Sequence, residues 1–183
     1  MIKKIFLTTF FFFLPTKNFG QFLENTNIQF GTGTLFWGSG DITLYKFETE
    51  FTKKWNTYIS NSISLVTNYD GKPRDGYEAA TVLQGNLNLF VSPFGNDGEN
   101  NFKIGLGISR MHFSETRFSS LQYIGNVFTV TYSMINRSSF GAILLLEDEY
   151  RLNEKIFIGL GVATQIYHQD IGHSLKMKLG IVL

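Results

Sequence analysis

The sequence predicts an all-β chain that folds as an eight-stranded antiparallel up-and-down transmembrane β-barrel, preceded by a signal peptide. Three observations lead to this prediction: an N-terminal segment typical of exported proteins, a period-two alternation of apolar and polar residues, and connections that divide into two classes. Most of the alternating stretches reach the roughly 9 to 11 residues that a tilted strand needs to cross a bilayer.

Composition narrows the class of protein. The 183 residues suit one domain. Charged residues make up 17% of the chain and aromatic residues 16%, whereas soluble proteins average about 25% charged residues. The net charge is +1 with acids and bases interleaved, so no electrostatic field favours nucleic acid as a partner. The absence of cysteine excludes disulfides, thiolate catalysis and cysteine zinc sites.

The N-terminal segment has the order of a signal peptide. Lys3 and Lys4 precede an apolar run over 5–14, which is shorter than the roughly 20 residues of a spanning helix. Pro15 ends the run, and Gly20 supplies a small residue at the expected cleavage point. We therefore expect a signal peptide over 1–20 and a barrel domain over 21–183.

The strands follow from period-two alternation, because successive side chains of a strand point to opposite faces. Within 82–92, for example, Leu87 and Leu89 alternate with Asn86 and Asn88. After position 21 no stretch has a helical apolar period or is long enough for a membrane-spanning helix. The predicted strands are 28–36, 42–52, 57–68, 80–92, 102–113, 140–151, 156–167 and 174–183.

The connections also indicate a barrel. Compact, charged or glycine-containing turns alternate with connections that include a long stretch over 114–139, the asymmetry that membrane barrels have. Within the long stretch, 122–135 is predicted as possible further strand that would form a hairpin above the membrane. Protease added to intact cells is expected to cut within 114–139.

Aromatic residues near the strand ends predict two interfacial girdles. The first set lies near the turns and the second near the loops. The predicted members are Trp55, Tyr58, Phe94, Phe102, Tyr150 and Phe157, and then Phe36, Trp37, Tyr69, Tyr77, Phe113 and Tyr167.

The hairpin FGAILLLEDEYRLNEKIFIGLGVATQIY and the closing strand, with Lys178, Gly180 and Leu183 in polar-x-Gly-x-x-apolar spacing, resemble the small eight-stranded outer-membrane β-barrels of Gram-negative bacteria, of OmpX and OmpA-domain architecture. The resemblance implies an outer-membrane location, contact with membrane lipid and lipopolysaccharide, handling by the barrel-assembly machinery, and a monomer. A soluble barrel of the lipocalin kind remains an alternative, in which the apolar face would line a ligand cavity.

The alternation also predicts a charged lumen. If Leu144 and Leu146 face lipid, Glu147 and Glu149 face inward. An eight-stranded barrel is just wide enough for side chains to fill, so opposite charges are expected to pair across it and to close it. Loss of Glu149 should then destabilise the fold. The predicted lumen charges are Lys46, Glu48, Glu50, Lys103, Glu147, Glu149, Lys176 and Lys178.

Three function classes stay open: a structural or surface-interaction barrel, which we favour, a narrow porin-like channel, and a lipid-modifying enzyme similar to lipid A deacylases. For the enzyme, residues of suitable type occur in YHQDIGHSL, but their spacing does not favour acyl transfer. We expect no catalytic site, no cofactor and no metal site. The residues weighed for catalysis or metal binding are His112, His168, Asp170, His173 and Ser174. The expected contacts with lipopolysaccharide phosphates are Lys72, Arg74, Arg110 and Arg117.

Overall fold

The structure, a computed structural model, describes residues 25–38, 42–70, 79–124, 127–168 and 170–183. Its strands form a closed antiparallel barrel in which consecutive strands are neighbours and the first pairs with the last. The predicted fold class is therefore confirmed, while the predicted signal peptide lies outside the described residues. The strands are β1 (Thr26–Trp37), β2 (Ile42–Lys54), β3 (Ile59–Tyr69), β4 (Ala79–Val91), β5 (Asn100–Ile124), β6 (Val127–Arg151), β7 (Ile156–Tyr167) and β8 (Ile171–Val182).

β5 and β6 are much longer than the other strands, at 25 residues each. They pair with each other from Asn100 and Tyr150 up to Ile124 and Val127. The loop predicted over 114–139 is wrong in extent: its described residues form a two-stranded ribbon, which confirms the hairpin predicted over 122–135 and extends it toward the barrel. The reason is that cross-strand pairing carries on after the neighbouring strands have ended.

The outer face of the barrel is apolar and the inner face is polar. Leu144 and Leu146 are 48% and 46% exposed, whereas Glu147 and Glu149, which follow them in the same strand, are buried. A water-soluble surface rarely carries so large an apolar area, and an outward apolar band is what lipid requires of a barrel. The soluble alternative, which would bury the apolar face, is wrong. No helix among the described residues is long and apolar enough to cross a membrane.

The aromatic girdles are only partly as predicted. Trp55 and Phe94 near the turns and Phe36 near the loops point outward and are exposed, and Tyr77 lies outside the described residues. Both faces of a strand end can carry aromatic residues, as Phe36 and Trp37 do, so position along the strand alone does not decide which way a ring points. The predicted girdle members that face the lumen instead are Trp37, Phe113, Phe157 and Tyr167.

Glycines on the inner face make space for large side chains of the neighbouring strands. Trp37 pairs across the sheet with Gly172, and Phe157 pairs with Gly180. A Cβ atom on Gly172 would lie 3.0 Å from the Trp37 ring, and one on Gly180 would overlap the Phe157 ring. Each ring therefore lies over the backbone of the adjacent strand, and the lumen closes without forcing the strands apart.

We expect Gly33→Ala to destabilise the barrel and Gly85→Ala to leave its stability nearly unchanged. A Cβ on Gly33 would lie 2.8 Å from the Cα of Lys176 in the closing strand, whereas nothing lies within 4 Å of a Cβ on Gly85. Overpacking of this kind costs about 1–3 kcal/mol. Urea-induced unfolding in lipid vesicles measures the free energy of unfolding of both variants, and equal values would contradict the assignment of β1 and β8 as a tightly closed pair.

Candidate functional site: the barrel lumen

All eight predicted lumen charges lie inside the barrel and are buried. They come from β2, β5, β6 and β8, and every ion pair among them except Lys46–Glu48 joins two different strands. The four lysines and four glutamates balance in formal charge. The eight buried lumen charges are Lys46, Glu48, Glu50, Lys103, Glu147, Glu149, Lys176 and Lys178.

The two lysines of β8 lie at the centre of this network. The ammonium nitrogen of Lys176 lies 2.9 Å from a carboxylate oxygen of Glu48 on β2 and 2.9 Å from one of Glu147 on β6. The ammonium nitrogen of Lys178 lies 3.1 Å from Glu50 and 2.5 Å from Glu147. β8 is thereby tied to strands on both sides of the lumen, and neither lysine carries a buried charge without a counter-ion.

The network continues at both of its ends. Lys46 lies 3.2 Å from Glu48 and donates a hydrogen bond of 3.3 Å to Ser174. At the other end Lys103 pairs with Glu149 and also lies 3.4 Å from Glu147. Acids and bases therefore alternate through the lumen, the arrangement in which a buried charge is tolerated.

Inward-facing glycines on the strands beside β8 give the two lysines room. On β7, a Cβ atom on Gly161 would lie 3.0 Å from the side chain of Lys176. On β1, a Cβ on Gly31 would lie 3.4 Å from that of Lys178. Side chains at these positions would compete with the lysines for the same space. The glycines of β1 and β7 are therefore part of the site, although they carry no chemistry themselves.

The opposite wall of the lumen, on β3 and β4, is polar but uncharged. Asn86 donates a hydrogen bond of 3.0 Å to Ser64 and accepts one of 2.7 Å from Ser109. Gln84 donates to Gln165 at 2.6 Å and to the Tyr167 hydroxyl at 2.9 Å. These residues were not among the predicted site residues. Gln84 and Asn86 alternate with apolar residues in the sequence, and this alternation was the signal that could have placed them on the inner face.

An apolar cluster closes the lumen at the end where the loops lie. The Trp37 ring stacks on Phe113 with 5.9 Å between ring centroids and lies 5.6 Å from the Tyr167 ring. Above them, the Arg137 guanidinium lies 4.5 Å from the centroid of Phe113 and 3.3 Å from Asp170. The buried members of the cluster are Leu35, Trp37, Leu44, Ala80, Val82, Met111, Phe113 and Tyr167.

The residues weighed for catalysis are not brought together. Ser174 is buried in the lumen beside Lys46, whereas His173 points outward and bonds to Thr164 at 3.1 Å. Neighbours in a strand face opposite ways, so His173 cannot serve Ser174 as a general base. Asp170 pairs with Arg137 instead. The described residues contain no group of three or more potential metal ligands.

The expected lipopolysaccharide contacts also separate. Lys72 and Arg74 lie outside the described residues. Arg110 is exposed on the outer face of β5, 5.4 Å from the ring centroid of Phe140. Arg117 lies an odd number of positions further along the strand, so it faces the opposite side, where it lies 2.8 Å from Glu115. The two arginines therefore cannot hold the same phosphate group.

We expect Glu147→Gln to destabilise the barrel more than Glu149→Gln. Glu147 lies within 3.4 Å of three lysines, whereas Glu149 contacts Lys103 closely and Lys178 at 3.8 Å. Breaking a buried pair costs about 3–5 kcal/mol. When Glu149 is changed, Lys103 and Lys178 both remain paired with Glu147, so the loss should be smaller. Urea unfolding in vesicles measures the order of the two losses.

A double variant tests whether charge balance is the cause. Combining Glu147→Gln with Lys176→Gln removes one acid and one base, and we expect it to lose less stability than the sum of the two single changes. Strict additivity of the losses, or a larger loss for Glu149→Gln, would contradict this account of the network.

Comparisons with known proteins agree with this architecture. No family model and no curated protein matches the chain. Among solved structures, Ail of Yersinia pestis is 10% identical, with a TM-score of 0.60, over 86% of this chain and 98% of Ail. The neisserial surface protein NspA is 10% identical, with a TM-score of 0.63, over 87% of this chain and 98% of NspA.

A third match, the outer membrane protein OprG from Pseudomonas aeruginosa, is 13% identical, with a TM-score of 0.53, over 86% of this chain and 93% of OprG. Ail is also matched in its complex with the heparin analogue sucrose octasulfate, at 10% identity and a TM-score of 0.59, over 85% of this chain and 96% of Ail. Identities this low establish the fold alone. The chain has the fold of the small eight-stranded β-barrels of Gram-negative outer membranes.

Proposed function

We propose that this protein is an integral outer-membrane barrel with a closed lumen, whose role is structural or lies in surface interactions. The observation that carries the proposal is the neutral, fully buried ion-pair network, in which Lys176 and Lys178 reach Glu48, Glu50 and Glu147 across the lumen. A side-chain lattice of this kind occupies the cross-section through which solute would pass. Any interaction with other molecules is then made by the parts of the protein outside the membrane, such as the β5–β6 ribbon.

A narrow porin-like channel is less well supported. A conducting lumen needs a continuous wet path and, for selectivity, an excess of one charge. Here the charges balance, Trp37 and Phe113 stack at the loop end, and the buried Phe157 ring lies over Gly180 at the turn end. These features favour a filled barrel.

A lipid-modifying enzyme is also less well supported. Acyl transfer needs a nucleophile within hydrogen-bond reach of its base, and Ser174 and His173 lie on opposite faces of β8. Ser174 lies at 3.3 Å from the ammonium group of Lys46 in the interior, away from the lipid-facing side where an acyl chain would approach. These contacts favour a role in the lumen network.

The contacts expected with the surroundings follow from the outward face. We propose that the barrel domain over 21–183 is exported through cleavage of 1–20, assembled by the barrel-assembly machinery and inserted with the β5–β6 ribbon outside the cell. Arg110, stacked beside Phe140 near the upper edge of the apolar band, suits a lipopolysaccharide phosphate. A sulfated ligand such as that of Ail calls for clustered cations, and Arg117 and Arg137 already contact Glu115 and Asp170.

In planar lipid bilayers we expect the purified protein to give no stable conductance steps, because the ion-pair network and the apolar cluster fill the lumen. A large porin inserted under the same conditions is the control for membrane quality. Reproducible, ion-selective steps from the wild-type protein would overturn the closed-lumen proposal in favour of the channel.

On intact cells we expect a membrane-impermeant maleimide to label Ser133→Cys in the β5–β6 ribbon and not Glu154→Cys in the turn between β6 and β7. Both positions are exposed, and the chain has no cysteine of its own, so any label reports the introduced thiol. Labelling of Glu154→Cys before the outer membrane is opened, with Ser133→Cys protected, would reverse the proposed orientation.

A further inference from the structure

A carboxylate interrupts the apolar outer face of the barrel. Asp148 lies on β6 between the outward side chains of Leu146 and Tyr150, and it is exposed on that side. Its direct partners in the sheet, Phe102 of β5 and Leu160 of β7, point the same way. Among the described residues, Asp148 is the only acidic side chain on the outer face of the strands. An ionisable group that faces lipid costs free energy and indicates a functional site.

The Asp148 carboxylate has no counter-ion within the described part of the chain. Its side chain makes no hydrogen bond and no ion pair there, whereas each lumen glutamate contacts at least one lysine. The hydroxyl of Tyr150, two residues closer to the turn, has no hydrogen-bond partner among the described residues either. An acceptor and a hydroxyl therefore lie side by side on the outer face, and both are available to a ligand.

These two groups lie near the turn-side edge of the apolar band. From Phe140 to Tyr150, β6 runs for about 33 Å at about 3.3 Å per residue. At a tilt of about 40° this is about 25 Å along the barrel axis, the height of the lipid-facing band. Phe140 and Tyr150 therefore lie at its two edges, where aromatic residues are enriched. Asp148 lies about 5 Å inside the edge, a depth that a lipid headgroup reaches.

An apolar groove of about 460 Å³ opens beside these two groups. Its floor is the backbone of the pair Gly159–Lys178 of β7 and β8. Asp148 and Tyr150 border it on β6, and Phe30 borders it on β1, three strand spacings or about 14 Å away. Its sides are formed by Ile158, Leu160, Met177 and Leu179. An acyl chain in this groove would have its polar end beside Asp148 and Tyr150.

The groove alone would not identify a site, because apolar grooves between outward side chains also occur elsewhere on this barrel. A second outward groove, of about 650 Å³, lies over β2, β3 and β4 beside Leu87, and no charged residue lines it. The first groove differs in having two polar groups without partners at one end. An apolar cleft with a few convergent polar groups is the usual form of a ligand site.

We propose that the groove beside Asp148 binds a phospholipid with a primary ammonium headgroup, of the class of phosphatidylethanolamine. The ammonium group donates to the Asp148 carboxylate, the phosphate accepts from the Tyr150 hydroxyl, and an acyl chain lies between Leu160 and Met177. The proposal rests on the proposed function in so far as the turns face the periplasm, because the leaflet on that side of an outer membrane consists of phospholipid.

Charge complementarity selects this occupant. A carboxylate only accepts hydrogen bonds, and a primary ammonium group supplies three donors and the opposite charge. Their attraction is stronger at the edge of the apolar band than in water, because the dielectric constant is lower there. Phosphatidylglycerol has no cation and would bring its phosphate charge toward the carboxylate, which is unfavourable. A lysine of another protein would match the charge of Asp148 and leave the adjoining groove unfilled.

Lipid binding measured by native mass spectrometry tests the proposal. The detergent-purified protein is titrated with phosphatidylethanolamine or with phosphatidylglycerol of the same acyl chains. We expect the wild type to bind phosphatidylethanolamine about tenfold more tightly, the ratio that 1.4 kcal/mol produces, and Asp148→Asn to lose this preference. Asp148→Glu keeps a carboxylate and should keep the preference. Asp97→Asn, which removes an exposed acid from the turn between β4 and β5, is the matched control and should behave as the wild type.

Photo-cross-linking identifies the occupant in the native membrane. A diazirine side chain in place of Leu160, beside Asp148 in the groove, is activated in isolated outer membranes, and the adducts are weighed. We expect phosphatidylethanolamine to be enriched among them relative to the same side chain in place of Leu87, in the second groove. Asp148→Asn should reduce the enrichment to the level found at Leu87.

Equal affinity of the wild type for the two lipids, or a preference that survives Asp148→Asn, would overturn the proposal. So would a protein adduct in place of a lipid adduct at Leu160, since another protein would then supply the counter-ion. The folded-barrel shift on unheated gels shows that each variant is native. Loss of the lipid preference with Ser133→Cys still labelled on intact cells would leave the proposed function standing, whereas reversed labelling would contradict the proposed function itself.

Discussion

The contacts of Lys176 and Lys178 across the lumen are the interaction on which the rest of the barrel depends. Both lysines lie on the strand that closes the barrel, and their counter-ions lie on β2 and β6. A shift of β8 by one residue would turn both ammonium groups toward lipid and leave the glutamates unpaired inside. The ion pairs therefore select one register for the closing strand, which hydrogen bonds between backbones alone would not distinguish.

Space for these contacts comes from inward-facing glycines on the neighbouring strands. Where one strand carries a large inward side chain, the residue paired with it on the next strand is a glycine: Lys176 pairs with Gly161 of β7, and Lys178 pairs with Gly31 of β1. The same arrangement recurs where Trp37 pairs with Gly172 and Phe157 with Gly180. An eight-stranded barrel is just wide enough for side chains to fill. Large inward side chains on every strand would not fit inside the barrel, and small ones on every strand would leave the lumen open to water.

Much of this arrangement could be predicted from the sequence, because a period of two determines both the strands and the inward set. Lys46, Glu147 and Lys178 share an inward face by alternation alone. The direction of Trp37 was missed because aromatic residues occupy both faces of that strand end. The outer ribbon was predicted as strand only over 122–135; it was missed over 136–139 and over 114–121, where the bulge between Phe118 and Ser120 interrupts the alternation. Which acid pairs with which base depends on three-dimensional distances that no spacing encodes.

The ribbon keeps the barrel's reversed polarity beyond the point where lipid can explain it. Inside the membrane an apolar outer face and a polar inner face are what the surroundings require. Above the polar belt at His112 and Ser138, water lies on both sides, and a ribbon adapted to water alone would carry polar residues on both faces. Phe118, Leu121 and Val130 instead share the outward-facing side of the ribbon, because the bulge between Phe118 and Ser120 shifts the residues that follow it in β5. Exposed apolar area of this kind costs free energy in water, and Val127 and Ile135, which are 61% and 37% exposed on the opposite face, show that solvent alone does not explain the composition of either face.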